Sequence, residues 1–389
     1  MLEKPKKLPK RPNFSCGPCV KRPGWSLDNL KSFEVLGRSH RSQVCLNYLN
    51  DVIKLTKETL DIPEDFKVAI VPGSNTGAFE MALWSMIGPL PVDALAWETF
   101  GSGWVNDIKN QLKINDLRIH KADYGNIPDL SLIGDDTDIC FTWNGTTSGV
   151  KVPNANWISR KRKGITFCDA TSAIYSQKLE WDKLDVTTFS WQKSMGGEGG
   201  HGMLIMSPKA IERLKKFNPE RPLPKLFRLI KDEELIDGIY EGKTINTPSM
   251  LCVVDALDSL LWIKDLGGWE KTYKKSLSNF EIISNWYNTK DWISNFVKDK
   301  KIQSNSSICL EITDNKFLKL DSQKKWSFIQ KMCSILENNN AAFDIKGHRD
   351  APPGLRIWCG PTVEEDDLKA ALPWLDWSYE IVRSEFFLS

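Results

Sequence analysis

The chain has little of what marks exported, membrane-bound or nucleic-acid-binding proteins. No run approaches the ~20 apolar residues that span a bilayer. Basic and acidic side chains number 52 and 50, so the net charge is only +2. A surface that near to neutral lacks the concentrated positive field that holds nucleic acid. The N-terminus, Lys4-Pro5-Lys6-Lys7-Leu8-Pro9-Lys10-Arg11-Pro12, is basic, yet no apolar stretch follows it. It reads as a solvated arm and not as a secretory signal. These absences point to a cytoplasmic protein with no membrane and no nucleic-acid partner.

Histidine is scarce, at four residues. No His/Cys cluster has metal-ligand spacing, so no metal centre is expected. The cysteines number nine, which is odd. Most lie in apolar runs such as Asp138-Ile139-Cys140-Phe141, the setting of buried free thiols in a reducing compartment. Cys16-Gly17-Pro18-Cys19 has the spacing of a redox pair. With no second CxxC and no nearby histidines, it reads as a turn rich in Gly and Pro.

What is present is an ordinary globular balance, 41% hydrophobic and 26% charged, over 389 residues. That length suits a large domain plus a smaller one. Lys67-Val68-Ala69-Ile70-Val71 reads as a buried strand, broken at Pro72-Gly73 and followed by a helix from about Phe79 to Met86. Further strands are expected at Ala94–Trp97, Asp138–Trp143, Gly164–Asp169, Val186–Trp191 and Gly202–Met206. Alternating strands and helices imply an α/β fold with a mostly parallel sheet covered on both faces. A long apolar helix is expected from Pro248 to about Asp265, with Gly267-Gly268 as its stop. The domain change is placed there: an arm and large domain over 1–265, and a smaller α+β domain over 266–389.

The strongest chemical signal is Trp191-Gln192-Lys193-Ser194-Met195-Gly196-Gly197. A lysine just past an apolar strand, beside a dry cleft, sheds its proton more easily than one in water. That is what a lysine forming a covalent bond to a carbonyl group needs. Upstream, Asp169 ends the strand Ile165-Thr166-Phe167. Neighbouring strand ends of a parallel sheet open on one side, so Asp169 and Lys193 can share a pocket. Pyridoxal phosphate needs such a pair, a lysine for its aldehyde and an aspartate to keep its ring nitrogen protonated. Taken alone, Asp169 could equally be a helix N-cap. Gly73-Ser74-Asn75-Thr76-Gly77 lies between strand and helix, where free N–H groups bind phosphate. It is neither a Walker loop nor a dinucleotide fingerprint. Two histidines stand directly before arginines, His40-Arg41 and His348-Arg349, and Arg356 follows. Such cations suit a substrate carrying phosphate and carboxylate.

In order along the chain, Asn13-Phe14-Ser15-Cys16-Gly17-Pro18, Ser39-His40-Arg41-Ser42, Trp191-Gln192-Lys193, Asn246-Thr247-Pro248-Ser249 and Gly347-His348-Arg349 to Arg356 resemble the successive signatures of the phosphoserine aminotransferase family. The resemblance covers nearly the whole chain and is closest to a divergent branch. It implies a fold-type-I, class-V homodimer with active sites shared between subunits. It implies that glutamate gives its amino group to 3-phosphohydroxypyruvate, in serine and pyridoxine biosynthesis. Lys193 would carry pyridoxal 5'-phosphate and move the substrate proton, and Asp169 would pair with the ring nitrogen. Asn75, Thr76 and Gln192 would hold the cofactor phosphate, joined by Asn246 and Thr247 of the partner. Thr146 would bond the phenolate side of the ring. Trp104 would stack on its face, with Phe100 as competitor. Arg356 would take the substrate carboxylate, and His40, Arg41, His348 and Arg349 would surround its phosphate. Many members carry an arginine in the glycine loop where this chain has Thr76, so one phosphate contact is missing or supplied elsewhere.

Two other readings compete. An alanine– or serine–glyoxylate aminotransferase needs no phosphate pocket, which the His-Arg pairs speak against. A non-catalytic binding protein on the same scaffold would need neither Lys193 nor Asp169.

Overall fold

A computed structural model describes residues 2–387. Its centre is a seven-stranded sheet of β1 (Lys67–Pro72), β2 (Val92–Ala96), β3 (Leu117–Lys121), β4 (Asp138–Thr142), β5 (Thr166–Asp169), β6 (Val186–Ser190) and β7 (His201–Met206). The spatial order is β1-β7-β6-β5-β4-β2-β3. Neighbours from β6 to β3 run parallel. β7 runs antiparallel to both β6 and β1.

Apart from β3, the strands are buried on both sides, as expected of a covered sheet. In β1, Ala69 and Val71 enter one cluster with Phe79, Met81 and Leu83 of α2 (Ser74–Met86). Val68 and Ile70 enter another with Leu49 of α1 (Gln43–Thr59) and Val253 of a later helix. A second region holds a three-stranded antiparallel sheet, β8 (Ile293–Asn295), β9 (Ser307–Ile312) and β10 (Leu355–Trp358). It packs with helices including α6 (Ser322–Asn338) and α7 (Glu365–Phe387) in its own cluster. Two long helices lie between the regions, α4 (Met250–Leu266) and α5 (Trp269–Tyr287). Gly267 ends α4 with φ 103, a left-handed stop that glycine adopts without strain. Among the described residues no helix is long and apolar enough to cross a membrane.

Three departures from the sequence reading have physical reasons. Helix α2 starts at Ser74 and not near Phe79, so the glycine-rich segment is its first turn. Gly73 turns the chain with φ 84, and a Cβ on Gly77 would sit 2.0 Å from the Pro72 carbonyl oxygen. Strand β3 was not expected, because its half-exposed Leu-Arg-Ile-His-Lys carries no apolar run. The arm, grouped above with the large domain, also packs on the C-terminal region. Phe14 is buried in the C-terminal cluster, and its carbonyl accepts the Trp358 N–H at 3.0 Å.

One buried acid closes the sheet edge. Asp93 of β2 accepts hydrogen bonds from Thr137 (2.6 Å), Arg118 (2.7 Å), His120 (2.8 Å) and the Gly134 N–H (3.2 Å). Burial pushes its carboxyl up, but these bonds outweigh it and hold the pKa below the usual value. A carboxyl held low by folding stabilises the fold above its unfolded pKa, and the gain disappears as pH falls through the folded one. Asp93→Asn should cost about 2–3 kcal/mol at neutral pH by urea unfolding. The gap from the native chain should narrow in acid below about pH 4. A constant gap from neutral pH to acid would refute the ionic role.

Candidate active site

The carboxyl ends of the parallel strands frame a cavity of about 380 Å³. Register decides what meets there. Asp169 ends β5, flanked in register by Thr142 of β4 and Thr188 of β6. Beyond Ser190 of β6 the chain turns through Gln192 to Lys193. Lys193 and Asp169 line the same cavity, with Asn75, Thr76, Trp104 and Thr146 around them.

The Lys193 amine is buried and donates to the Cys16 carbonyl at 2.7 Å, with Thr146 Oγ1 at 3.4 Å. Burial pushes its pKa below the usual lysine value, and Arg356 adds to that. The Cys19 and Cys16 thiols and Asp169 act in the opposite sense. The Asp169 carboxylate accepts the Trp104 indole N–H at 3.0 Å on one oxygen. The other takes the Thr171 N–H at 3.0 Å and hydroxyl at 2.7 Å. Trp104 lies on α3 (Thr99–Asn106) and packs on Phe79 with centroids 4.5 Å apart. Phe100, one turn earlier, is 44% exposed and stands 6.2 Å from the His348 ring.

Whether pyridoxal phosphate fits can be judged from the lining. Asn75 Oδ1, Thr142 Oγ1 and Gln192 Oε1 are buried without a hydrogen-bond partner among the described residues. A dry polar atom left unpaired costs free energy, so a polar ligand in this cavity relieves three at once. The first turn of α2 leaves its own N–H groups without partners inside the helix. Amine, carboxylate and an anion-binding helix start therefore surround one space, and these residues fit the group.

Other expected residues stand apart. Arg356 reaches the cavity wall, with Nη1 3.5 Å from the Thr146 carbonyl and Nε buried and unpaired. His348 is half-buried beside Phe100, and Arg349 is 87% exposed along its side chain. Arg41 is exposed and His40 half-buried, and neither lines the cavity. Asn246 and Thr247 are also exposed and outside it. Within one chain, then, the cations do not gather around a single substrate.

The sequence reading missed Glu98. It caps α3 and is 2% exposed, accepting the Gly101 N–H at 2.7 Å on one oxygen. The other oxygen accepts the Thr147 hydroxyl at 2.8 Å and the Thr147 N–H at 3.3 Å. Burial raises its pKa, the hydrogen bonds oppose this, and Asp169 adds to the rise. Glu98 thus joins the helix carrying Trp104 to the loop carrying Thr146. Its position after a strand and before a helix is the signal that could have found it.

The aminotransferase class-V family model matches residues 107–255. The chain is similar to a phosphoserine aminotransferase of Methanosarcina barkeri, 47% identical over 98% of this chain and 100% of that one. It is similar to another of Methanosarcina mazei, at 46% with the same coverage. The fold resembles that of a phosphoserine aminotransferase from Cytophaga hutchinsonii, with a TM-score of 0.80, 20% identity, and 94% and 98% of the two chains covered.

Glu98→Ala would leave the Gly101 and Thr147 N–H groups unpaired in a dry interior and remove the shorter acceptor of the Thr147 hydroxyl. It should lower unfolding stability by about 3 kcal/mol. Glu98→Gln, which keeps an acceptor, should lose less. Equal losses in denaturant titration would show that the acceptors are not what Glu98 supplies.

Proposed function

Because the chain belongs to the phosphoserine aminotransferase family, we propose that it moves the amino group of glutamate to 3-phosphohydroxypyruvate, giving phosphoserine and 2-oxoglutarate. It is a pyridoxal-phosphate-dependent transaminase. The observation that carries the residue assignment is the placing of Lys193 and Asp169 on one cavity whose lining keeps unpaired polar atoms.

When bound, the cofactor supplies the electron sink that lets the amino-acid Cα–H bond ionise. The chain's own groups do the rest. Lys193 would offer the cofactor aldehyde a dry amine and would carry the proton at the substrate Cα. Asp169, already fixed by Trp104 and Thr171, keeps the ring nitrogen protonated. Asn75, Thr76, Gln192 and the start of α2 would hold the phosphate, and Thr146 would bond the phenolate side of the ring. Trp104 is the ring's wall, supported by its fixed contacts on Phe79 and Asp169. Phe100 guards the mouth. Arg356, with a buried unpaired Nε, takes the substrate carboxylate.

A homodimer completes the site. What supports this is the position of Asn246, Thr247, His40 and Arg41, polar residues exposed away from their own cavity. In a twofold pair they would face the partner's cofactor and substrate phosphates. The division of the chain near residue 265 follows the end of α4 at Leu266. A cytoplasmic setting is supported by nine free cysteines, all but Cys252 buried.

Four measurements test this reading. The protein loaded with pyridoxal phosphate should show the visible band of the lysine-bound cofactor, and Lys193→Ala should lack it. Phosphoserine with 2-oxoglutarate should turn over far faster than alanine with glyoxylate in a coupled assay. Replacing phosphoserine by phosphohydroxythreonine as the amino donor to 2-oxoglutarate decides whether the activity extends to pyridoxine biosynthesis. Arg41→Ala or Arg349→Ala should raise the KM for 3-phosphohydroxypyruvate roughly tenfold or more, and that for glutamate less. Equal rises would contradict a phosphate role for these arginines.

A further inference from the structure

One buried carboxylate has no role in the chemistry above. Asp255 lies in the middle of α4 and is 2% exposed. A dry charge is costly unless well paired, and Asp255 is paired three ways. Its Oδ1 accepts the Trp25 indole N–H at 2.9 Å. Its Oδ2 accepts the Lys21 ammonium at 2.8 Å and the Glu198 N–H at 2.9 Å. Lys21 also reaches the Glu198 carboxylate at 2.7 Å. One turn along α4, Asp258 holds Arg22 through two bonds of 2.6 and 2.7 Å.

These contacts fasten one segment of chain across the turn that carries Lys193. The Cys19 N–H donates to the Gln192 carbonyl at 2.8 Å. A Cβ on Gly196 would lie 2.5 Å from the Val20 carbonyl oxygen, so the two backbones are in direct contact. A Cβ on Gly17 would lie 3.3 Å from the Lys193 amine. The Cys16 carbonyl takes one hydrogen of that amine, and Thr146 Oγ1 stands by for another.

We propose that residues 16–25 form a strap that keeps the Lys193 amine dry and aimed, and that Asp255 is the positioning residue that fastens the strap through Lys21, Trp25 and the Glu198 amide. The proposal rests on the reading of Lys193 as the cofactor-bearing lysine. A neutral amine has two hydrogens and one lone pair. With both hydrogens directed at fixed acceptors, the lone pair is left for the cavity. Loosening the strap admits water, which favours the protonated form and removes the nucleophile at neutral pH. The charged and titratable groups around the amine are Cys19, Cys16, Arg356 and Asp169, and none is altered by changes at Lys21 or Asp255.

The test uses cofactor-free protein. Lys193 is labelled by reductive methylation across a pH series, and its labelling is followed by mass spectrometry. Asp255→Asn and Lys21→Met should raise the midpoint by about one pH unit, which leaves about tenfold less free amine at neutral pH. Lys21→Arg should restore the native midpoint. Labelling of the Cys16 and Cys19 thiols should quicken in the same two variants. Lys21 is 22% exposed along its side chain, so Lys21→Met carries the test even where Asp255→Asn does not fold. Native midpoints and thiol rates in folded Lys21→Met would overturn the strap proposal. Native protein that takes up no pyridoxal phosphate would bring down the cofactor reading first, and this proposal with it. Native uptake with unchanged variants brings down only the strap.

Discussion

The structure turns on the burial of a single amine. A lysine in water at neutral pH is almost wholly an ammonium ion, which has no lone pair to attack an aldehyde. Lys193 is made useful by being enclosed, with a carbonyl and a hydroxyl beside it in place of solvent. Enclosure costs free energy that the surrounding fold must offset. The strand ends of the sheet and the N-terminal segment both contribute to the walls, which ties regions far apart in sequence to one side chain.

The parallel sheet supplies the geometry. Strand ends on one edge fix Asp169 beside Thr142 and Thr188, and the helix start at Ser74 opens onto the same edge. The antiparallel strand β7 closes this arrangement by pairing with β1 and β6. It brings the Gly200 carbonyl to the Gly73 N–H at 3.0 Å, so the glycine turn before α2 is held by the strand that follows the lysine.

The C-terminal region is joined to this edge by buried hydroxyls and not by apolar contact alone. Ser307 donates to the Thr146 carbonyl at 2.7 Å, and Ser306 to the Ser172 carbonyl at 2.8 Å. Asn144 bridges to Ser172, and Gln177 to Asn144, each at 2.8 Å. Directional bonds of this kind set the position of Thr146 and Arg356 relative to Asp169 more narrowly than shape complementarity would.

The sequence by itself determined the α/β class, most strands of the large sheet and the two groups proposed to carry the chemistry. Each is a local matter: an apolar run, a glycine-dense turn, a carboxylate at a strand end. It also determined which residue types belong to the family's successive signatures. Tertiary structure alone decided which of them share a cavity. Glu98 and Asp255 looked like ordinary acids, because their meaning lies in partners such as Thr147 and Lys21, which the chain brings near only when folded. The segment Cys16-Gly17-Pro18-Cys19 read only as a turn, yet both cysteines are buried, and the Cys16 carbonyl meets the Lys193 amine. A backbone carbonyl has no sequence signature, so only the path of the chain could put it there. Local pattern follows from covalent neighbours, whereas a dry amine needs walls from every side at once.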